Sequence, residues 1–251
     1  MKKILLTILF SIITSTVNSQ QINGVVQQMN GLIGLWHFNA GTGTTEYDPI
    51  SKTVMTNNGA WISGIYGNAL SFTSASSQYA YINTGASFVC SSITVCFWLY
   101  LGVDYTNAES RAIIYRKVSD HGWHIGRDMT GTVWTPIGIT TNDTHDNRWL
   151  PNGYMGSSFG MNISKKWVHL AVTYDSKGSA WYLNGVLKES SSVYWGGIDN
   201  GVTNITISKM PEPAFYVTAS FDELAIFDRA ITATEVKAIY NSGKSRVRIK
   251  K

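Results

Sequence analysis

The sequence predicts an all-β chain folded as two antiparallel layers, a sandwich with one short C-terminal helix, and three observations carry that prediction. Lys166 to Gly185, KWVHLAVTYDSKGSAWYLNG, reads as a hairpin. Trp167 to Tyr174 is apolar, β-branched and aromatic around a single His, Asp175-Ser176-Lys177-Gly178 is turn chemistry, and Ala180 to Leu183 is apolar again before Asn184-Gly185 closes the element. Both alternating faces of the first strand are apolar: Trp167 and Ala171 on one side, Val168, Leu170, Val172 and Tyr174 on the other. Such a hairpin needs cover on both sides and belongs in the middle of a layered protein. Composition agrees, because only 14% of residues are charged while the chain holds 23 Gly, 13 Tyr and 9 Trp, the usage of many turns and aromatic strands. Its 251 residues suit one domain of this class.

Residues 1–19 read as a secretory signal: Lys2-Lys3 is the positive end, Ile4 to Ile13 the apolar core, and Val17-x-Ser19 a small-residue cleavage site. The apolar stretch falls short of the roughly 20 residues of a membrane span. The mature, exported chain is expected to start near Gln20, with residues 20–30 as a polar leader, residues 31–243 as the sandwich and 244–251 as a basic tail. The formal charge of +4 is carried by the ends, where Lys2, Lys3 and five basic groups in KSRVRIKK lie; without these seven the body is at about −3. No basic surface for nucleic acid is implied.

Along the body, a strand around Leu35 to Phe38 precedes a long loop, Asn39 to Ala60. Ala69 to Phe72 and Tyr79 to Ile82 read as a strand pair around a Ser-rich turn. In the strand Ile93 to Leu101, alternation places Ile93, Val95, Phe97 and Leu99 on one face and Cys96, Trp98 and Tyr100 on the other. Arg111 to Val118 with Trp123 to Arg127 makes a further hairpin, and Asn204 to Lys209 another strand. Thr232-Ala233-Thr234-Glu235 is a capping box that starts the one helix, and Asn241-Ser242-Gly243 reads as its end. Cys90 and Cys96 are the only cysteines; along one extended strand their sulfurs lie too far apart to bridge, although a turn at Ser91-Ser92 would bring them together. Two free, buried thiols are the expectation.

W-x-H-x-A-x-x-Y-D from Trp167, followed by Tyr182-x-Asn184-Gly185, resembles the laminin G-like jelly-roll domains of the concanavalin A-like lectin/glucanase superfamily. Gly31-Leu32-Ile33-Gly34-Leu35-Trp36-His37-Phe38 is similar to the first strand of that family, and Phe221 to Ile231 to its last. The resemblance implies a jelly roll and a recognition function. It also implies a structural Ca²⁺ between the loop after the first strand and the start of the last, at positions matched by Asp48 and Asp222. Here Lys52 stands where the family pattern has a Gly, and it brings a positive charge towards a site that must supply six to eight oxygens.

Sugars present apolar C–H faces and rings of hydroxyls, so a binder needs aromatic platforms flanked by polar side chains. The least regular segment, Asp128 to Gly160, offers Trp134, Asp143, His145, Asp146, Arg148, Trp149 and Tyr154. The alternative reading folds Trp134 and Trp149 inward beneath the loop. A second candidate follows from the resemblance, since related lectins and glucanases often carry ligand on a sheet face: Trp98, Tyr100 and Trp195 would line it, unless loops roof that face. His169 reads as a core histidine. The paired carboxylates of the superfamily's glucanases, Glu-x-Asp-x-x-Glu, are absent, and Asp222, Glu223 and Asp228 do not replace them because adjacent strand residues face opposite ways. The expected function is an exported, non-catalytic module binding an extracellular glycan or polysaccharide. A structural or adhesion module with a protein partner at the cell surface is the alternative, and a hydrolase or lyase the minor one.

Overall fold

The computed structural model describes residues 26–27, 29–85, 88–102, 113–118, 121–126, 137–139, 148–150, 163, 165–192, 194, 196–198, 204–210 and 214–247; for 117, 118, 121, 137–139, 148–150 and 244–247 only the backbone is described. Among the described residues, the strands form two eight-stranded antiparallel sheets and one two-stranded ribbon. The first sheet runs, in spatial order, Val186–Ser191, Gly178–Leu183, Trp167–Asp175, Ile93–Leu101, Ala219–Phe227, Asn68–Phe72 and Ala60–Ser63, with Leu32–Trp36 also paired to Ala219–Phe227. The second runs Arg148–Leu150, Ile137–Ile139, His121–Ile125, Ile114–Val118, Asn204–Ile207, Ala80–Asn83, Thr53–Asn57 and Thr45–Asp48. The Trp167 hairpin is central, as its two apolar faces require, with Ile93–Leu101 hydrogen-bonded on its other side.

Alternation builds the main core. Val95, Phe97 and Leu99 point inward and meet Val168, Leu170, Leu70, Phe72 and Phe221, with Phe221 packed against Phe97 and Phe72 at ring-centroid distances of 5.9 Å each. A second, smaller core lies on the opposite face of the first sheet. There Cys96, Ala171 and Ala225 form one row across three strands, and their small side chains leave a groove that seats Val236 and Ile239 of the C-terminal helix Ala233–Val247. Both cysteines are buried thiols outside any disulfide, and burial pushes Cys90 up to about 11 and Cys96 to about 12, so neither is a nucleophile at neutral pH.

Three details differ from the sequence reading. The expected loop 39–60 contains two strands of the second sheet, Thr45–Asp48 and Thr53–Asn57; they sit at its edge, where half-exposed polar positions blur the alternation. Asn68–Phe72 and Ala80–Asn83 are not paired with each other. The 3-10 turn Ser74–Ser76, closed by Ser77 in the left-handed region at φ 52°, carries the chain from one sheet to the other. The helix also continues through Gly243 to Val247. Gly243 is needed for close packing, since a Cβ there would collide with the Trp98 ring. The capping box forms as expected: Glu235 N–H donates to Thr232 Oγ1 at 3.2 Å, and Thr232 N–H to Glu235 Oε2 at 2.6 Å. Among the described residues, no helix is long and apolar enough to cross a membrane.

Candidate functional site

The outer face of the first sheet is organised in cross-strand rows. Residues two apart on a strand share a face and lie about 7 Å apart, so successive rows follow from the register. The first is the small-residue row Ala171–Cys96–Ala225 under the helix. The second is His169–Trp98–Asp222. The third is Trp167–Tyr100–Ser220–Ser71.

The second row is closed. Trp98 is only 5% exposed, with the ring of Tyr240 tilted over it at 5.6 Å and the His169 ring edge-on at 5.3 Å. The helix therefore roofs this part of the proposed sheet-face site. His169 is fully enclosed, and burial alone drives it down to about 3, so it is a neutral spacer rather than a base. The third row is open. Tyr100 and Trp167 are half-buried, their ring centroids 5.8 Å apart and their planes inclined at 55°. With Ile62, Gly102, Thr218, Ser71 and Ser220 they line a cleft of about 230 Å³. Ser220 Oγ bonds to Ser71 Oγ at 3.0 Å, and Thr218 Oγ1 accepts the Ser74 N–H at 3.1 Å. In the sequence Trp167 reads only as part of the hairpin. The signal that it joins Tyr100 was the pairing of its strand with Ile93–Leu101, which one strand's alternation does not disclose.

Trp134, Asp143, His145, Asp146, Tyr154 and Trp195 lie outside the described residues. Arg148 and Trp149 fall on the edge strand Arg148–Leu150, where Trp149 pairs with Gly138; only their backbone is described.

The acidic residues collect elsewhere, at a buried junction beside the first strand. A β-bulge between Asp222 and Ala225, with Glu223 at φ 53°, breaks the alternation that would send Asp222 and Glu223 to opposite faces. Glu223 Oε2 lies 2.7 Å from His37 Nδ1. Burial lowers the His37 pKa, but the hydrogen bond and charge of Glu223 outweigh it and hold the ring above its ordinary value. Glu46 accepts the Phe38 N–H at 2.7 Å, while burial pushes its carboxyl up to about 7. Burial, then the Glu223 charge, push Asp222 well above the usual carboxylate range.

The two residues matched to the calcium positions, Asp48 and Asp222, are both buried. Both oxygens of Asp48, which is wholly buried, are engaged by its own turn: Oδ1 accepts the Ile50 N–H at 2.9 Å, and Oδ2 the Ser51 N–H at 2.9 Å together with the Ser51 hydroxyl. Asp222 Oδ2 accepts the Tyr66 N–H at 2.9 Å, and among the described residues its Oδ1 makes no hydrogen bond of good geometry. Among the described residues, no three His, Cys, Asp or Glu side chains are grouped to hold a metal.

Comparison with known proteins agrees with this architecture. Several solved structures share the sandwich. The receptor binding domain of botulinum neurotoxin mosaic serotype C/D, solved with tetraethylene glycol bound on its Hcn sub-domain, matches with TM-score 0.65 at 17% identity over 84% of this chain and 50% of that one. The binding domain of Paraclostridial Mosquitocidal Protein 1 matches with TM-score 0.65 at 18% identity, over 84% of this chain and 52% of that one. The binding domain of Botulinum Neurotoxin DC in complex with SialylT matches with TM-score 0.63 at 16% identity, over 85% and 52% respectively. The chain thus spans about half the length of these neighbours, and the likeness is one of fold. No curated protein matches the chain. The laminin G family model covers residues 72–237, from the end of one central strand to the start of the C-terminal helix, and the chain therefore belongs to the concanavalin A-like lectin/glucanases superfamily.

Proposed function

We propose that the chain is an exported, non-catalytic recognition module that binds carbohydrate on an extracellular glycan or polysaccharide. One observation carries the reading. On the face where the described structure is open, it presents aromatic rings beside hydroxyls, whereas Asp48, Asp222 and Glu223 are buried and turned into hydrogen bonds or a shared junction. Glycoside hydrolysis needs two carboxyl groups across an accessible bond, and these acids offer no such access. The neighbours support a binding rather than a reacting role, since the matched structures are described as receptor binding or binding domains and one holds a sialylated ligand. The loop residues Trp134, Trp149 and Tyr154, with Asp143, His145, Asp146 and Arg148, belong to the same proposal as a second contact region chosen from their chemistry.

A glycan array probed with the exported chain, with and without chelator, tests the reading. Binding to a defined set of glycans that persists in chelator is the expected result. Silence across a broad array, together with a stable oligomer, would establish the alternative, a structural or adhesion module with a protein partner. Product release from a polysaccharide panel would establish an enzyme. Calcium enters only as a structural ion: chelation should leave the melting temperature unchanged, and a rise of several degrees on adding Ca²⁺ would show that Asp48 and Asp222 do hold the ion.

A further inference from the structure

The third row of the outer face, Trp167–Tyr100–Ser220–Ser71, has a chemistry of its own that the fold does not require. A sheet face turned to solvent is commonly built from charged or polar side chains; here two large aromatic rings stand half-exposed beside serines. We infer that this row is a saccharide subsite that takes one neutral pyranose ring, with Trp167 and Tyr100 as the platform and Ser71 as the hydrogen-bond donor. The inference rests on the reading of the chain as a glycan-binding module and gives that reading a location and a sugar class.

Five features point to such a ring. The two aromatic planes, inclined at 55° with centroids 5.8 Å apart, form an open angle that can pack one apolar C–H face and flank its edge. Ser220 donates to Ser71 at 3.0 Å, so the Ser71 hydroxyl keeps its own proton for an outside acceptor. Among the described residues neither the Tyr100 hydroxyl nor the Trp167 indole N–H has a hydrogen-bond partner, which adds donors suited to sugar hydroxyls. Among the described residues no ionisable carboxylate, amine or guanidinium lines the cleft, and the one acid of the neighbouring row, Asp222, is buried with its carboxylate on the Tyr66 N–H. A uronic or sialic acid would find no counter-charge here. The cleft volume of about 230 Å³ lies below the roughly 300 Å³ at which pockets for drug-sized ligands begin, and so suits a single ring.

The test uses the full exported chain. Amide and indole NMR shifts are followed during titration with the methyl pyranosides of glucose, galactose and mannose, and with a methyl sialoside as the charged comparison. At least one neutral sugar should saturate with millimolar affinity, shifting the Trp167 indole N–H and the Tyr100 and Ser71 amides, while the sialoside leaves them still. Trp167→Ala should weaken binding at least tenfold and Trp167→Phe much less. Gly102→Leu leaves every contact group in place but fills the cleft, since a Cβ at Gly102 meets only the Thr218 methyl, at 3.3 Å, and the Thr218 carbonyl at 4.0 Å; it should abolish binding with the melting temperature held within a few degrees. Ser71→Ala should cost roughly two- to fivefold.

Array binding that survives both Trp167→Ala and Gly102→Leu would overturn the subsite and leave the glycan reading standing. Silence in both array and titration would overturn the two together. A preference for the sialoside would overturn the neutral-sugar assignment. A concentration-dependent dimer lost in Trp167→Ala would give the row to a second copy of the chain instead.

Discussion

The His169–Trp98–Asp222 row and the Trp167–Tyr100–Ser220–Ser71 row lie side by side on the same strands, yet one is roofed and the other is open. The chemistry follows the cover. The closed row holds an imidazole with no charge, covered by the helix through Tyr240, and a carboxyl raised well above its usual range, buried beside Gly64 and Tyr66; both stand there because water is kept out. The open row holds rings and hydroxyls that water tolerates. A sheet face is therefore not one surface: the line where the C-terminal helix ends its contact separates a core from a candidate binding site.

The largest effect that can sharpen this contrast is truncation of the two indoles. Trp98→Ala empties a packed site beneath the helix and should cost about 3–5 kcal/mol in urea denaturation. Trp167→Ala, on the open row, should cost about 1 kcal/mol or less. Equal losses would mean that the two rows are equally structural. Gly243→Ala comes next. Its methyl would strike the Trp98 ring, so helix or indole must shift, at about 1–3 kcal/mol. If the helix gives way rather than the ring, Trp98 fluorescence should move to the red with little change in far-ultraviolet circular dichroism.

How far these rows could be read in advance depends on what alternation conveys. Trp98 and Tyr100 fall on one face by period two alone, and the apolar run Trp167–Tyr174 marks a central strand. Neither pattern says where a helix far along the chain, Ala233–Val247, comes to rest, so the roof over Trp98 is not legible in the sequence. Gly243 shows the same limit from the helix side: its stop-signal reading is local, but its reason is the distant indole. The bulge at Glu223 left no mark either, because no Gly occupies its left-handed position, and without the bulge Asp222 and Glu223 appear to face apart. Edge strands such as Thr45–Asp48 were missed because their exposed positions look like loop. The polar loop residues from Trp134 to Tyr154 carry sugar-binding chemistry in the sequence but no periodicity that would place them.

The acids beside the closed row give a pH test of their cover. Glu46 rises from 4.5 to about 7, chiefly through burial, so it takes up a proton on folding between those values. Its contribution is complete below about pH 4.5 and is lost as pH rises through about 7. His37, also raised, acts in the same direction, its contribution complete below its ordinary 6.5 and lost above its folded value. Stability should therefore decline from mildly acidic towards alkaline pH. Glu46→Gln keeps a carbonyl acceptor for the Phe38 N–H and removes one charge; it should raise the melting temperature at pH 8 by about 2–4 °C, on the order of 1 kcal/mol, and flatten the profile. A profile unchanged by the substitution would show that water reaches the junction.

The smallest effect belongs to the start of the roof. Thr232 and Glu235 satisfy each other's backbone N–H groups, and Arg229 grips the same carboxylate through two bonds of 3.1 and 2.6 Å. The Arg229 hydrogen bond leads the lowering of Glu235 to about 2, so this contribution is present above about pH 4.5 and fades as pH falls towards 2, opposite in sign to the buried junction. Thr232→Ala should remove only about 0.5–1 kcal/mol, because the pair is exposed and the helix is held mainly by Val236 and Ile239. The informative readout is local. Hydrogen exchange should quicken in the first helical turn while the Trp98 indole N–H stays protected, since Tyr240 and Gly243, two turns further on, form its cover. Exchange that quickens equally at the indole would make the helix a single hinged lid, and the line between closed and open rows would then shift with the cap.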